Sequence, residues 1–301
     1  VHAAGNEDDL SVASGNLCAD ANEMCWPVQK QMEEQLIRAV EQAGWTVKRA
    51  HPDVPEKKHG FLDSQRYGMA VFRGIPEDSP LIVAEAMWQH THHVLAGVTT
   101  HKGPILTVAN WSGQWPGLVG LLNLNGSLTK AGVTYSSLWS VDFTDAFFLK
   151  GLGEWLKEGT VTHDRSHVHA FVGATGQAAA IGKAAAAKLK KEKAILGVLD
   201  EGCMGMFNAI VPDHLLHATR IFKERLSQSA LAYATSQVED ADAEAALEWL
   251  LAQGMTFHFG TNEATELTKA QVLLQLKMYV AAVRIADTFA AMRSEFSISR
   301  V

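Results

Sequence analysis

The sequence predicts an α/β protein whose main body is a doubly wound parallel sheet, Rossmann-like in its layering, and three observations predict it. Residues 80–84, 105–108 and 194–199 are short apolar runs of strand length, uncut by charge. Between such runs lie segments of ten or more residues whose apolar positions recur at helical spacing. Alternating strands and helices need crossover connections, so the strands pair in parallel and helices cover both faces of the sheet. Beyond Pro212 the third observation enters, a change of texture to long helical segments. The expected organisation is a first α/β domain over 1–210 and a second, helix-rich α/β domain over 211–301, with the boundary inside 208–214.

Each element has its own signal. From 22 to 43, Met24, Val28, Met32, Leu36, Ile37 and Val40 line one helical face, and Gly44 ends the helix before a strand at 45–47. The strand at 80–84 leads to a helix through Met87, His90, Val94 and Leu95. The strand at 105–108 leads through a polar turn to a helix over 116–130, then a strand at 133–138 and a helix over 142–157. Ala170, Phe171 and Val172 run through Gly173, Ala174, Thr175 and Gly176 into an alanine-rich helix ending at Lys193, and 194–199 is the next strand. In the second domain, helical segments around 215–235 and 242–251 accompany a long one over 267–292, with 255–259 as the one clear strand before Phe296. Residues 294–301 read as the opening of a strand, so the second domain is expected to be incomplete. A start at Val1 followed by a small, polar, acidic stretch to Asn16 points to a processed or partial version of a longer protein.

With 301 residues, 47% hydrophobic and 20% charged, the chain has globular composition. A formal charge of -7 provides no broad basic field, which argues against nucleic acid and favours a small polar molecule as partner. Lys188, Lys190, Lys191 and Lys193 read as the solvated end of a helix, where the dipole favours cations. Cys18, Cys25 and Cys203 cannot all pair with one another and have no metal-site spacing, which fits a reducing compartment, the cytoplasm. No run of about 18 apolar residues offers a membrane span.

Residues 107–120 are the most informative stretch. An apolar run ends there in Asn110, Trp111, Ser112, Gly113, Gln114 and Trp115 before Pro116 and Gly117. In open parallel sheets the ligand lies beyond the carboxyl ends of the strands, and two indoles with an amide suit a polyhydroxylated molecule. The same residues could cap the edge of a core. Residues 200–208 form a second candidate, with Glu201, Cys203 and Met204 at a strand's carboxyl end; a glycine-rich turn with core-filling Cys and Met is the alternative. The turn from Gly173 to Gly176, with Asp200 further on, resembles a dinucleotide-binding glycine turn. An alanine stands at the third glycine position, and the acid comes late for ribose recognition. His90, His92, His93 and His101, and His163, His167 and His169, lack zinc-site spacing and read as structural or surface residues. Glu224 with Arg225 and Arg284 with Asp287 read as charges on helix surfaces, the latter as an intrahelical pair.

Taken together, residues 108–128 and 197–208 resemble the amino-terminal half of the L-fucose isomerase and L-arabinose isomerase superfamily. The matching features are a strand, a polar turn ending in Pro-Gly, an apolar helix and a later Cys-Met-Gly turn. The likeness runs from about residue 6 to residue 296. It implies a manganese-dependent aldose-ketose isomerase working through an enediol, in which the metal polarises the carbonyl and carboxylates move the proton. It also implies a homo-oligomer in which a turn of one subunit covers the monosaccharide held by its neighbour, with Trp111, Gln114 and Trp115 as that cover. The superfamily's metal ligands, a Glu, an Asp and a His, follow the strand that begins near Phe296, so none is matched here. The catalytic residues are therefore unassigned, no metal is expected on this chain alone, and the chain alone is expected to be inactive. Two other readings stay open: a nucleotide-dependent oxidoreductase built on the Gly173 to Gly176 turn, and a non-catalytic sugar-binding module.

Overall fold

The apolar runs of the first 140 residues assemble into one parallel sheet in the computed structural model, which describes residues 9–85, 91–111, 117–201, 205–263 and 265–291. Strand β1 (Asp9–Val12) leads into helix α1 (Ala19–Gln42), then β2 (Val47–Arg49) and the short helix α2 (Gln65–Phe72). There follow β3 (Leu81–Glu85), α3 (His92–Val98), β4 (Ile105–Asn110), α4 (Leu118–Ala131), β5 (Ser136–Ser140) and α5 (Ala146–Glu158). The strand order is β2-β1-β3-β4-β5 and every pairing is parallel. The chain builds outward from β1 to β2, then crosses to the other side at β3. That makes the β1/β3 junction the switch point of a doubly wound sheet.

Strand alternation divides the core into two layers. Ile82, Ala84, Leu106, Val108 and Leu138 face α1 and α5, where Met32, Leu36, Phe148, Leu152 and Trp155 complete one buried cluster. Leu81, Val83 and Ile105 face the opposite side and pack with Val94 and Val98 of α3 and Leu124 and Leu128 of α4. The strands are buried on both faces, which is why they read as continuous apolar runs. Local signals set the helix ends: Asp145 caps α5 by accepting from the Phe148 amide at 2.9 Å, so the helix starts four residues later than the apolar pattern suggested.

Contacts divide the chain into two units, residues 1–171 with 202–210 and residues 172–201 with 211–301. One crossing falls at 210/211, and Val172–Glu201 joins the second unit. That unit contains α6 (Gly176–Glu192), β6 (Ile195–Leu199), α7 (Asp213–His217), β7 (Phe222–Leu226), α8 (Gln228–Ser236), α9 (Asp240–Ala252) and α10 (Lys269–Ala291). Strands β6 and β7 pair in parallel, and Ala243 and Leu247 of α9 pack on Val272 and Leu276 of α10. No helix among the described residues is long and apolar enough to cross a membrane.

Four sequence expectations need correction. The helical reading of 215–235 is interrupted by β7, whose Lys223, Glu224 and Arg225 disguised a strand because their charges are used in ion pairs or lie in solvent. Residues 255–259 form no strand. Their alternating aromatics stack Phe257 on Phe259 at 5.6 Å, and Phe257 also packs on the α9/α10 core. Arg284 pairs across helices with Asp242 at 2.7 Å, and Glu224 and Arg225 lie on a strand instead of a helix. The triplet before Gly173 is irregular and fully solvated. Met87, His90, Phe296 and the strand read at 294–301 lie outside the described residues.

Candidate functional site

The carboxyl edge at the switch point is built by three strand ends. After β1, the Ala13 amide donates to His51 Nε2 at 3.2 Å, the Ser14 amide to Glu85 Oε1 at 3.4 Å, and the Gly15 amide to the Leu62 carbonyl at 2.9 Å. Asn16 and Asn22 close the turn reciprocally: the Asn16 amide donates to Asn22 Oδ1 at 2.7 Å, and Asn22 Nδ2 donates to the Asn16 carbonyl at 2.8 Å. Only glycine fits at position 15, since a Cβ there would lie 2.6 Å from Phe61 Cβ. Strand β3 ends in Glu85, which is fully buried, and β4 ends in Asn110, whose Oδ1 accepts from the Gly117 amide at 3.2 Å.

Gly117 brings the chain back onto the end of β3. A Cβ at that position would stand 1.8 Å from the Glu85 carbonyl oxygen, so the two backbones meet closely. Trp111 follows β4 directly, with its amide donating to the Ser140 carbonyl at 3.0 Å and half of its surface exposed. Gly117 then serves as the residue before α4.

Helix α1 forms a wall beside this edge. Gln29 Nε2 donates to the Ala84 carbonyl at 3.1 Å, which sets Gln29 level with the end of β3. The ten helical residues before it, about 15 Å of helix, extend past the strand ends. They carry the buried Cys25 thiol, pushed up to about 12 by burial and by the charge of Glu85. Arg49 is committed here to Glu33 (3.0 Å), Asp53 (2.9 Å) and the Gly60 carbonyl (2.6 Å), and lies over the Trp26 ring. Burial holds Glu33 above the usual carboxylate range against the pull of Arg49. Burial, reinforced by Arg49, pushes His51 down to about 3, so it is neutral. The edge is thus lined by the carboxamides of Asn16, Asn22, Gln29 and Asn110, backbone groups and a buried carboxylate, while its nearby cation is already paired. That chemistry suits a hydroxyl-rich ligand of little charge.

A segment distant in sequence returns to this unit. Thr91 Oγ1 donates to the Gly205 carbonyl at 2.8 Å and accepts from the Phe207 amide at 3.3 Å, and the Asn208 amide donates to the buried Ser127 Oγ at 3.2 Å. Lys130 Nζ donates to the Phe207 carbonyl at 2.8 Å and to the Ile210 carbonyl, and lies 4.1 Å from the Phe207 ring centre. Residues 205–210 are therefore clasped by Thr91, which precedes α3, and by Ser127 and Lys130 of α4, none of which the sequence singled out. Their signal was faint: α4 also carries Asn123, Asn125 and Thr129, so Ser127 and Lys130 do not stand out among its polar positions.

Of the sequence candidates, Trp111 stands at the edge just described. Gln114, Trp115, Cys203 and Met204 lie outside the described residues. Glu201 lies in the second unit after β6, where its carboxylate accepts from Lys223 Nζ and from Arg225 Nε at 2.9 Å. Those two donors hold Glu201 below its ordinary value, and Arg225 also binds Asp213. The dinucleotide reading of Gly173 to Gly176 lacks its strand: Phe171 and Val172 are 88% and 86% exposed and carry no regular structure. A phosphate cradle needs strand, turn and helix in sequence, and here only the helix is present.

The histidines serve separate contacts. His93 Nδ1 lies 2.9 Å from the Leu62 carbonyl, His101 Nε2 2.7 Å from that of Ser79, and His163 Nε2 2.8 Å from that of Ser137, with His163 stacked on Trp139. His167 and His169 are exposed. Among the described residues, no three His, Cys, Asp or Glu side chains come together as a metal-binding group, so no chemical step is derived through a cation. Fold and edge together define a doubly wound α/β protein with polar residues gathered at the carboxyl ends of its central strands. No protein-family model matches the chain, and no curated protein matches it.

Proposed function

We propose that this chain is the substrate-covering amino-terminal part of a manganese-dependent aldose-ketose isomerase of the L-fucose and L-arabinose type, acting on a monosaccharide within a cytoplasmic homo-oligomer. One observation carries the reading. The two stretches that bear the resemblance, 108–128 and 197–208, are distant in sequence, yet Asn208 of the second bonds Ser127 of the first, and Phe207 is held by Lys130, two residues beyond the first. Such packing is expected of two parts of one inherited site and is not required of two unrelated turns. On this reading residues 211–301 open a second α/β domain.

In such an enzyme the metal, when bound, polarises the sugar's carbonyl and neighbouring hydroxyl. This chain's residues do other work. The exposed Trp111 indole packs on the C–H face of the sugar and excludes water from it. Asn110, by holding the Gly117 amide, fixes where the turn that carries Trp111 rejoins the sheet.

Saturation-transfer NMR, which detects millimolar contacts, tests the proposal. L-fucose or L-arabinose should receive magnetisation from the protein, and Trp111→Ala should remove most of it. Signal from NAD in place of sugar would overturn the reading in favour of nucleotide chemistry. Rapid metal-dependent sugar conversion by this chain alone would overturn the assignment of the metal ligands to other elements.

A further inference from the structure

Helix α6 is 17 residues long and none of its side chains is buried. Helices in folded proteins draw most of their stability from a packed face. Its residues are not those of a solvated helix. Seven alanines, Ile181 at 62% exposure and Leu189 leave it largely apolar and smooth. Its charge is one-sided: Lys183, Lys188, Lys190, Lys191 and the cap Lys193 face one carboxylate, Glu192, which lies 3.9 Å from Lys188.

Helix α9 has the opposite character. With its cap Glu239 it carries Asp240, Asp242, Glu244 and Glu248 and no Lys or Arg. Asp240 and Asp242 are neutralised by Lys277 and Arg284 of α10, and Ala243 and Leu247 form the buried face. Glu244 and Glu248 stand away from that face, four residues apart, where like charges oppose the helix. Trp249 lies beside them at 58% exposure.

We infer that two copies of this chain associate through α6 of one and α9 of the other. Lys183 and Lys190, seven residues apart on one side of α6, meet Glu244 and Glu248, while the alanine surface of α6 admits Trp249. Both complementary helices belong to the same unit. Each copy therefore offers both halves, and the assembly inferred is a two-fold dimer in which α6 and α9 of one copy meet α9 and α6 of the other. A different acidic protein would satisfy α6 but would leave α9 uncovered. The inference deepens the homo-oligomer of the proposed function by naming its contact: association without sugar contact would leave the dimer standing and the sugar reading refuted, and sugar contact without association would do the reverse.

Sedimentation velocity on the full chain tests it. Wild type should run at twice its 32.7 kDa and dissociate as salt rises. Going from about 0.1 M to about 1 M salt shortens the screening length from about 10 Å to about 3 Å. Lys183→Glu with Lys190→Glu should weaken self-association at least about tenfold, as should Glu244→Lys with Glu248→Lys, because like charges then oppose each other. Mixing the two variants restores both contacts, so a one-to-one dimer should form from two monomers, which also shows that each variant is folded. A monomeric wild type, including one with α6 folded onto its own α9, would overturn the inference. So would a dimer indifferent to these substitutions, or variants that fail to associate when mixed.

Discussion

Acid should destabilise the first unit through one residue, His51. Its ring is 2% exposed and its Nε2 accepts the Ala13 amide, a role open only to the unprotonated nitrogen. Burial and Arg49 push its pKa from 6.5 to about 3 in the folded chain. Below about pH 6.5 the unfolded chain takes up a proton that the native state refuses until about pH 3, so stability is lost as pH falls through that window. Each pH unit costs about 1.4 kcal/mol, which gives about 2 kcal/mol by pH 5. Carried to pH 3, the loss is comparable to the whole stability of a small domain. His59 and His101, both lowered by burial, act in the same sense. Glu33, raised, acts in the opposite sense, because the native state gains as pH falls through its folded value. The lowered carboxylates Glu201 and Asp213 add their losses at still lower pH. Urea unfolding of wild type and His51→Gln at about pH 7, 6 and 5 measures the effect, since a glutamine oxygen can accept the Ala13 amide without titrating. Wild type should lose about 2 kcal/mol more than the variant between neutrality and about pH 5. Equal slopes would refute the reasoning.

Gly117→Ala should cost about 1–3 kcal/mol and weaken sugar contact at Trp111, because the new Cβ must retreat from 1.8 Å to an ordinary approach to the Glu85 oxygen. Thermal melting and saturation transfer check both effects. Gly153→Ala in α5, whose Cβ would meet nothing within 4 Å, should instead stabilise by about 0.5–1 kcal/mol and serves as the control. Arg49→Met should cost about 3–5 kcal/mol by leaving Glu33 buried without its partner, and adding Glu33→Gln should recover much of that loss. A double-mutant cycle from denaturant midpoints measures the coupling, and additive losses would show that the pair does not act as a unit.

The parallel sheet was legible because its strands are buried on both faces and therefore uniformly apolar, and because Gly44, in the left-handed region, marks the end of α1. Trp111 stood out in the sequence because polar and aromatic residues interrupt an apolar run there, and it follows β4 directly. The edge was not legible at Glu85, His51 or Asn22, whose roles depend on partners 71, 38 and 6 residues away that no local pattern announces. Strand β7 was hidden for a related reason. Strand-forming positions normally advertise themselves by apolar alternation, but Lys223 and Arg225 meet Glu201 and Asp213, and those pairings are tertiary. The glycine turn at 173–176 misled in the other direction, since its spacing is local and the missing strand before it is not.

The two units are held together by different means, and that difference bears on both proposals. The first encloses Trp155, Phe61, Phe143 and Phe148 completely, so its sheet edge is prebuilt and needs no ligand to form. Among the described residues the second buries Val238, Ala243, Leu247, Val272, Leu276 and Ala281, with no aromatic side chain. Its sheet has two strands, which alone are marginal, and Ile195, Leu196 and Phe222 remain 39–46% exposed on it. A unit of that kind gains stability by mass action from whatever covers it, whereas the first does not depend on association. The proposed association would therefore act on the second unit's stability, while the proposed sugar contact at Trp111 would rest on the first unit's own packing. Substitutions on α6 and α9 should accordingly leave the Trp111 edge intact.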